Sequence, residues 1–155
     1  MTETKCGFND VPGGASGADF LVFHGPTIIV DIGFDPAFKS TVPITTKPVP
    51  GMTGIRALVD TGASESCIDS VLASQLNLPI VDRRKISGVN GPQEVNMHLA
   101  QVFFPALNFT IWCPFAGVHL AAGGQVHRAL IGRTFLRQYT MVYEGRTGTV
   151  TLSSL

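Results

Sequence analysis

One stretch of the chain has the makings of a chemical site. Ala57-Leu58-Val59-Asp60-Thr61-Gly62-Ala63-Ser64 runs from apolar, strand-forming residues directly into an acid, a hydroxyl and a glycine. A strand that ends in Asp holds a carboxylate at a turn, where it can take or give a proton on a bound molecule. The same three residues suit an ordinary strand-to-turn junction, because Asp, Thr and Gly are all favoured there. The rest of the chain has to separate these readings. Other chemistries find less support. His24, His98, His119 and His127 have neither HxxxH nor HExxH spacing and no accompanying acids, so no metal is expected. Ser64 and Ser66 lack a Gly-x-Ser-x-Gly elbow. Gly13-Gly14-Ala15-Ser16-Gly17 is not followed by Gly-Lys-Ser/Thr, which argues against a phosphate loop. No cofactor is implied.

The carboxylate must be positioned by a core, and the composition supplies one. Of 155 residues, 45% are hydrophobic and 14% charged, with a net charge of zero. One domain is expected at this length, and the charge balance points to neither nucleic acid nor an anionic membrane as partner. Phe103, Phe104, Phe109, Trp112 and Phe115 are expected in the core or along an apolar cleft, since the basic residues that would interleave a base-stacking platform are absent. Cys6, Cys67 and Cys113 form no CxxC pair and are odd in number, so free thiols and a cytoplasmic setting are expected. The N-terminus lacks the apolar region of a signal peptide, and no stretch reads as a membrane span.

Most of the elements read as strands. Residues 1–18 are polar and Gly-rich, and are expected to be a flexible leader to a single domain over 19–155. Phe20-Leu21-Val22-Phe23 and Thr27 to Phe34 read as strands bounded by Gly25-Pro26 and Asp35-Pro36. The Pro-rich run from 36 to 54 is a loop with room for an edge strand at 41–45. Ile55 to Val59 leads into Asp60, and Glu65 to Ile68 continues as a strand. Asp69 caps a short helix from Ser70 to Leu78. Gly88-Val89-Asn90-Gly91 is a hairpin tip, with Arg83-Arg84-Lys85 at a solvated base and Val95, Met97 and Leu99 alternating with Asn96 and His98. Val102 to Phe104 and Phe109 to Trp112 are strands each closed by proline, and Ala121 to Gly124 is a turn. Ala129-Leu130-Ile131-Gly132 is a buried strand before two helical turns over Arg133 to Tyr139, and Thr140 to Leu152 forms a terminal hairpin.

This order resembles the retropepsin-like aspartic proteases over residues 20 to about 152. Two motifs carry the resemblance: Leu58-Val59-Asp60-Thr61-Gly62-Ala63-Ser64, and Ala129-Leu130-Ile131-Gly132-Arg133-Thr134-Phe135-Leu136 about seventy residues later. The resemblance implies a mostly β, closed antiparallel barrel with one or two short helices, active as a homodimer. It makes Asp60 the catalytic aspartate and Thr61, Gly62 and Ala63 the active-site loop, with the Thr61 hydroxyl bonding to the partner's loop and the Gly62 backbone meeting substrate. Gly88, Val89, Asn90 and Gly91 become the tip of a substrate-covering flap. Ile131, Gly132 and Arg133 become the structural second motif, with Gly132 at a crossing too tight for a side chain. Retroviral members often carry an acid where Ser64 stands, paired to the arginine at Arg133. Here that partner is missing, which leaves Arg133 a backbone carbonyl or solvent.

Peptide hydrolysis without metal or covalent nucleophile needs one group to take a proton from water and another to give one to the carbonyl. Two carboxylates in contact do both if they share a proton. The chain has one Asp-Thr-Gly, so the chemistry calls for two copies on a two-fold axis and a peptide or protein substrate. The rival from another class is a catalytically silent dimerising or peptide-binding module of the same fold. A β-barrel unrelated to proteases would show no dimer at the Asp60 loop.

Overall fold

The computed structural model describes residues 1–37, 51–88 and 90–155. Ten strands are β1 (Thr2–Lys5), β2 (Thr27–Gly33), β3 (Gly51–Val59), β4 (Cys67–Asp69), β5 (Ile80–Gly88), β6 (Gly91–Phe104), β7 (Phe109–Val118), β8 (Ala129–Ile131), β9 (Thr140–Glu144) and β10 (Thr149–Ser154). Three helices, α1 (Gly17–His24), α2 (Ser70–Gln75) and α3 (Arg133–Leu136), exceed the one or two expected. A 3-10 turn over Pro105–Leu107 links β6 to β7.

Six strands close a barrel in the order β2-β3-β8-β4-β7-β6, and the β6–β2 pairing seals it. The β3–β8 and β4–β7 pairings are parallel and the others around the ring antiparallel. The expected barrel is therefore present, with two parallel seams around β4 and β8. β5 lies outside the ring and pairs with β6 alone, from Ile80↔His98 to Gly88↔Gly91. The interior is filled by alternate residues, among them Val30 and Ile32 of β2, Ile55, Ala57 and Val59 of β3, and Val102 and Phe104 of β6. Phe104 stacks on Phe135 of α3 at 4.7 Å, which continues to Tyr139 at 4.9 Å. A second sheet, β1-β10-β9, carries Val150 and Leu152 into the same core.

Several expectations are corrected. Residues 20–23 are helical, not a strand. Ser16 caps α1 by accepting from Asp19 N at 3.1 Å, and Gly25 ends it at φ +68°. Residues 1–18 are not a flexible leader: β1 pairs with β10 from Thr2↔Ser154 to Lys5↔Thr151, and Cys6 is buried. β7 runs on through Pro114 to Val118. Pro114 is tolerated because β4 begins to pair with β7 only at Ala116, so on that side Pro114 stands at an edge. Met97 and His98 are both buried, because β6 passes from the exposed hairpin into the barrel wall, where the His98 ring meets Leu78 O at 3.4 Å. Arg83, Arg84 and Lys85 sit midway along exposed β5, not at its base. Phe103, Phe104 and Phe115 are buried, whereas Phe109 and Trp112 are at the surface. The edge strand expected at 41–45 lies outside the described residues.

Candidate active site

β3 has to end where it does. Its last residue, Val59, is held on both sides: it pairs with Ile131 of β8, and its N–H donates to Pro26 O at 2.8 Å. Asp60 N–H then donates to Ile131 O at 2.9 Å, so the parallel seam fixes the backbone that carries the carboxylate. The carboxylate itself is half-buried, and its Oδ1 accepts from Gly62 N at 2.8 Å. Thr61 and Gly62 are exposed and Ala63 is half-buried. The loop thus presents its acid, a hydroxyl and a side-chain-free backbone outward.

The second motif is laced through this loop. Arg133 N donates to Ala63 O at 2.9 Å and Thr134 N to Ser64 O at 3.1 Å. Gly132 N donates to the hydroxyl of buried Ser66 at 3.0 Å. A Cβ on Gly132 would lie 2.6 Å from Glu65 O and 3.0 Å from Ala63 O. Gly132 has φ −89°, which any residue can adopt, so glycine is required here by space alone. Arg133 finds its partner in a backbone carbonyl: Nη1 donates to Thr61 O at 2.7 Å. The structure therefore brings Asp60, Thr61, Gly62, Ala63, Ile131, Gly132 and Arg133 into one unit.

The hairpin tip is a separate region. Gly88 and Gly91 pair across it, Gly91 at φ +88°, and neither has an atom within 4 Å of a notional Cβ. Asn90 is exposed, and Val89 lies outside the described residues. Along the hairpin Arg83 meets Glu94 at 3.4 Å and Arg84 meets Asp82 at 3.1 Å.

Asp69 does more than the cap expected of it. Beyond Leu72 N at 3.3 Å it accepts from Leu120 N and Ala121 N, both at 3.1 Å, and from Arg128 Nη2 at 3.1 Å. Burial alone pushes this carboxyl up. The N–H groups of Ala121 and Leu72 and the Arg128 guanidinium outweigh that and hold it below the usual carboxylate range. Asp69 thereby fastens the loop that delivers the chain to β8. Arg128 carries no signal in the sequence, and Ser66 none for this role, because their partners are 59 and 66 residues away.

The histidines are dispersed. His119 Nδ1 contacts Ser70 Oγ at 2.8 Å, His127 Nε2 contacts Thr27 Oγ1 at 2.8 Å, and His24 sits among Phe8, Phe20 and Phe23. The thiols are free, and burial pushes Cys6 up to about 12 and Cys67 and Cys113 up to about 11, so all three stay protonated. No helix among the described residues is long and apolar enough to cross a membrane.

No curated protein matches the chain. The family model described as aspartyl protease matches residues 49–135 of the 155, from the start of β3 through the hairpin to Phe135 of α3. With the Asp60 loop and the Gly132 crossing inside that span, the chain belongs to the aspartyl protease family.

Proposed function

We propose that the chain is an aspartic endopeptidase whose catalytic dyad is formed by Asp60 of two identical copies. The observation that carries this is the single, half-buried Asp60 carboxylate on a loop whose tip, Thr61 and Gly62, faces solvent and has a backbone locked from behind by β8 and Arg133. Such a loop is stiff where the reaction needs a fixed carboxylate and open where a second copy can approach. In the dimer one Asp60 is ionised and takes a proton from water. The resulting hydroxide attacks the scissile carbonyl carbon, and the other Asp60 gives its proton to the carbonyl oxygen. The proton held by the first carboxylate then passes to the leaving nitrogen as the C–N bond breaks, and the second carboxylate takes back a hydroxyl proton as the product carboxylic acid forms, which restores the single shared proton. Thr61 bonds to the partner's loop, the Gly62 backbone aligns the peptide, and the hairpin with Gly88, Val89, Asn90 and Gly91 at its tip closes over it. The free thiols, with Cys6 and Cys67 buried and Cys113 half-buried, support a reducing, cytoplasmic setting.

The test is cleavage of a denatured-protein or peptide library across pH, with and without a pepstatin-type inhibitor, alongside sedimentation at micromolar concentration. Inhibitable cleavage by a dimer is expected. Asp60→Asn, nearly isosteric but unable to act as base, should lower turnover by about 10²–10⁴-fold or more while the dimer persists. A monomer even with inhibitor bound, or parent-level activity in Asp60→Asn, overturns the mechanism. A dimer that binds peptides without cleaving them would be the silent module.

A further inference from the structure

A groove of about 490 Å³ opens on the outward face of β2 and β3, with Thr27, Ile29 and Arg56 among the residues that line it. It shares a face with the candidate dyad. Along β3 the residues Ile55, Ala57 and Val59 are buried, so Arg56 and Leu58 point outward and Asp60 follows in the same row. Four residues of extended chain put Arg56 about 13 Å from Asp60. The segment after α1 is joined to the end of β3. Pro26 O accepts from Val59 N at 2.8 Å, and α1 ends just before it at Gly25.

The lining combines apolar walls with one arginine. Phe8, Phe20 and His24 form a cluster with ring centroids 5.8 to 6.2 Å apart. No Asp or Glu among the described residues lines the groove. Asp10, next to it in sequence, accepts from Gly17 N at 2.7 Å, and Asp19 lines a different hollow on α1. Arg56 is exposed and makes no ion pair among the described residues. His127 adds no charge. Thr27 gives its only hydroxyl hydrogen to Gly25 O at 3.0 Å, so Nε2 of His127 is the donor in the 2.8 Å contact, and Nδ1 is a buried acceptor without a partner among the described residues. Burial first, and then the neighbouring His24 and Arg56, lower the His127 pKa, which favours its neutral ring.

We infer that this groove takes a flanking stretch of the substrate polypeptide, an apolar or aromatic side chain next to an Asp or Glu, about four residues from the scissile bond. The carboxylate meets the Arg56 guanidinium, whose fork matches it in shape, and the neighbouring side chain lies on Phe8 and Phe20. The inference rests on the protease reading for the position of the bond, but binding to the groove needs no catalysis.

The test uses the full chain carrying Asp60→Asn and fluorescent peptides that place Phe-Glu, Phe-Gln or Phe-Lys four residues from a central apolar pair. The Phe-Glu peptide should bind at least tenfold more tightly than Phe-Gln. Adding Arg56→Glu should cut that ratio at least tenfold and favour Phe-Lys, and Arg56→Gln, similar in length and uncharged, should lower the ratio in the same direction. A ratio near one, or one that neither variant changes, overturns the inference. So does conversion of the dimer to monomer by Arg56→Glu, which would make the groove a subunit interface. Acid preference in binding without hydrolysis by the parent would sink the protease reading alone, and hydrolysis without acid preference would sink the groove alone.

Discussion

Gly132 and Gly91 are the same residue for opposite reasons. At Gly132 the backbone is ordinary, and the carbonyls of Glu65 and Ala63 occupy the place of a side chain. At Gly91 the space is empty and the backbone, at φ +88°, is the one that side chains avoid. The first glycine lets two segments interlock behind a carboxylate, and the second lets a hairpin turn freely over open solvent. The crossing and the tip sit in separate parts of one sheet, one closely packed and the other open to solvent.

The contrast can be broken most severely at the crossing. Gly132→Ala should cost about 3 kcal/mol or more, since backbone and not a yielding side chain would have to move. Chemical denaturation should show the loss of stability, and cleavage should fall with it. A variant as stable as the parent would mean that the crossing is looser than its distances.

Asp69→Asn probes the fastening of the loop before β8. It should cost about 2–3 kcal/mol at neutral pH, toward the low end for a broken buried pair because the Arg128 side chain is 34% exposed. The sign in pH follows from the lowered folded value. The carboxylate's contribution is whole above its unfolded pKa of about 3.9 and is lost as pH falls through the lower folded one. Parent and variant should therefore converge in acid, and denaturation midpoints at pH 7 and pH 3 check it. A gap that widened in acid would contradict the assignment.

The smallest effects belong to the tip. Gly91→Val should cost about 1–2 kcal/mol locally from its left-handed backbone, seen as altered kcat and KM with little change in global stability. Gly88→Val, which meets neither strain nor neighbours, should shift kinetics less. Equal effects in the two would assign the tip's behaviour to bulk and not to backbone.

The site was legible in the sequence to the extent that its signals were local. Asp60-Thr61-Gly62, the Gly88–Gly91 turn, the Asp69 cap and Ile131-Gly132 each declare themselves within a few residues. Arg133's acceptor was open because the choice between carbonyl and solvent depends on how two distant segments cross. α1 was misread for a different reason. Its Ser16 cap and Gly25-Pro26 stop were present, but Phe20-Leu21-Val22-Phe23 shows no helical period, since only Gly17 and Leu21 are buried while Val22 and Phe23 stand exposed. β1 was illegible because its four residues gain meaning only from a partner strand some 150 positions away.

The parallel seam also dictates when the site can exist. Asp60 N reaches Ile131 O, Thr61 O is held by Arg133, and Ala63 and Ser64 are bound by Arg133 and Thr134. During synthesis, then, the Asp60 loop emerges from the ribosome long before these partners exist, and it waits for some seventy further residues to be translated. Contacts of such separation form late and slowly. The growing chain therefore carries its acid before Arg133 and Thr134 can hold the loop, and the candidate site is assembled only when the barrel that contains it is nearly complete.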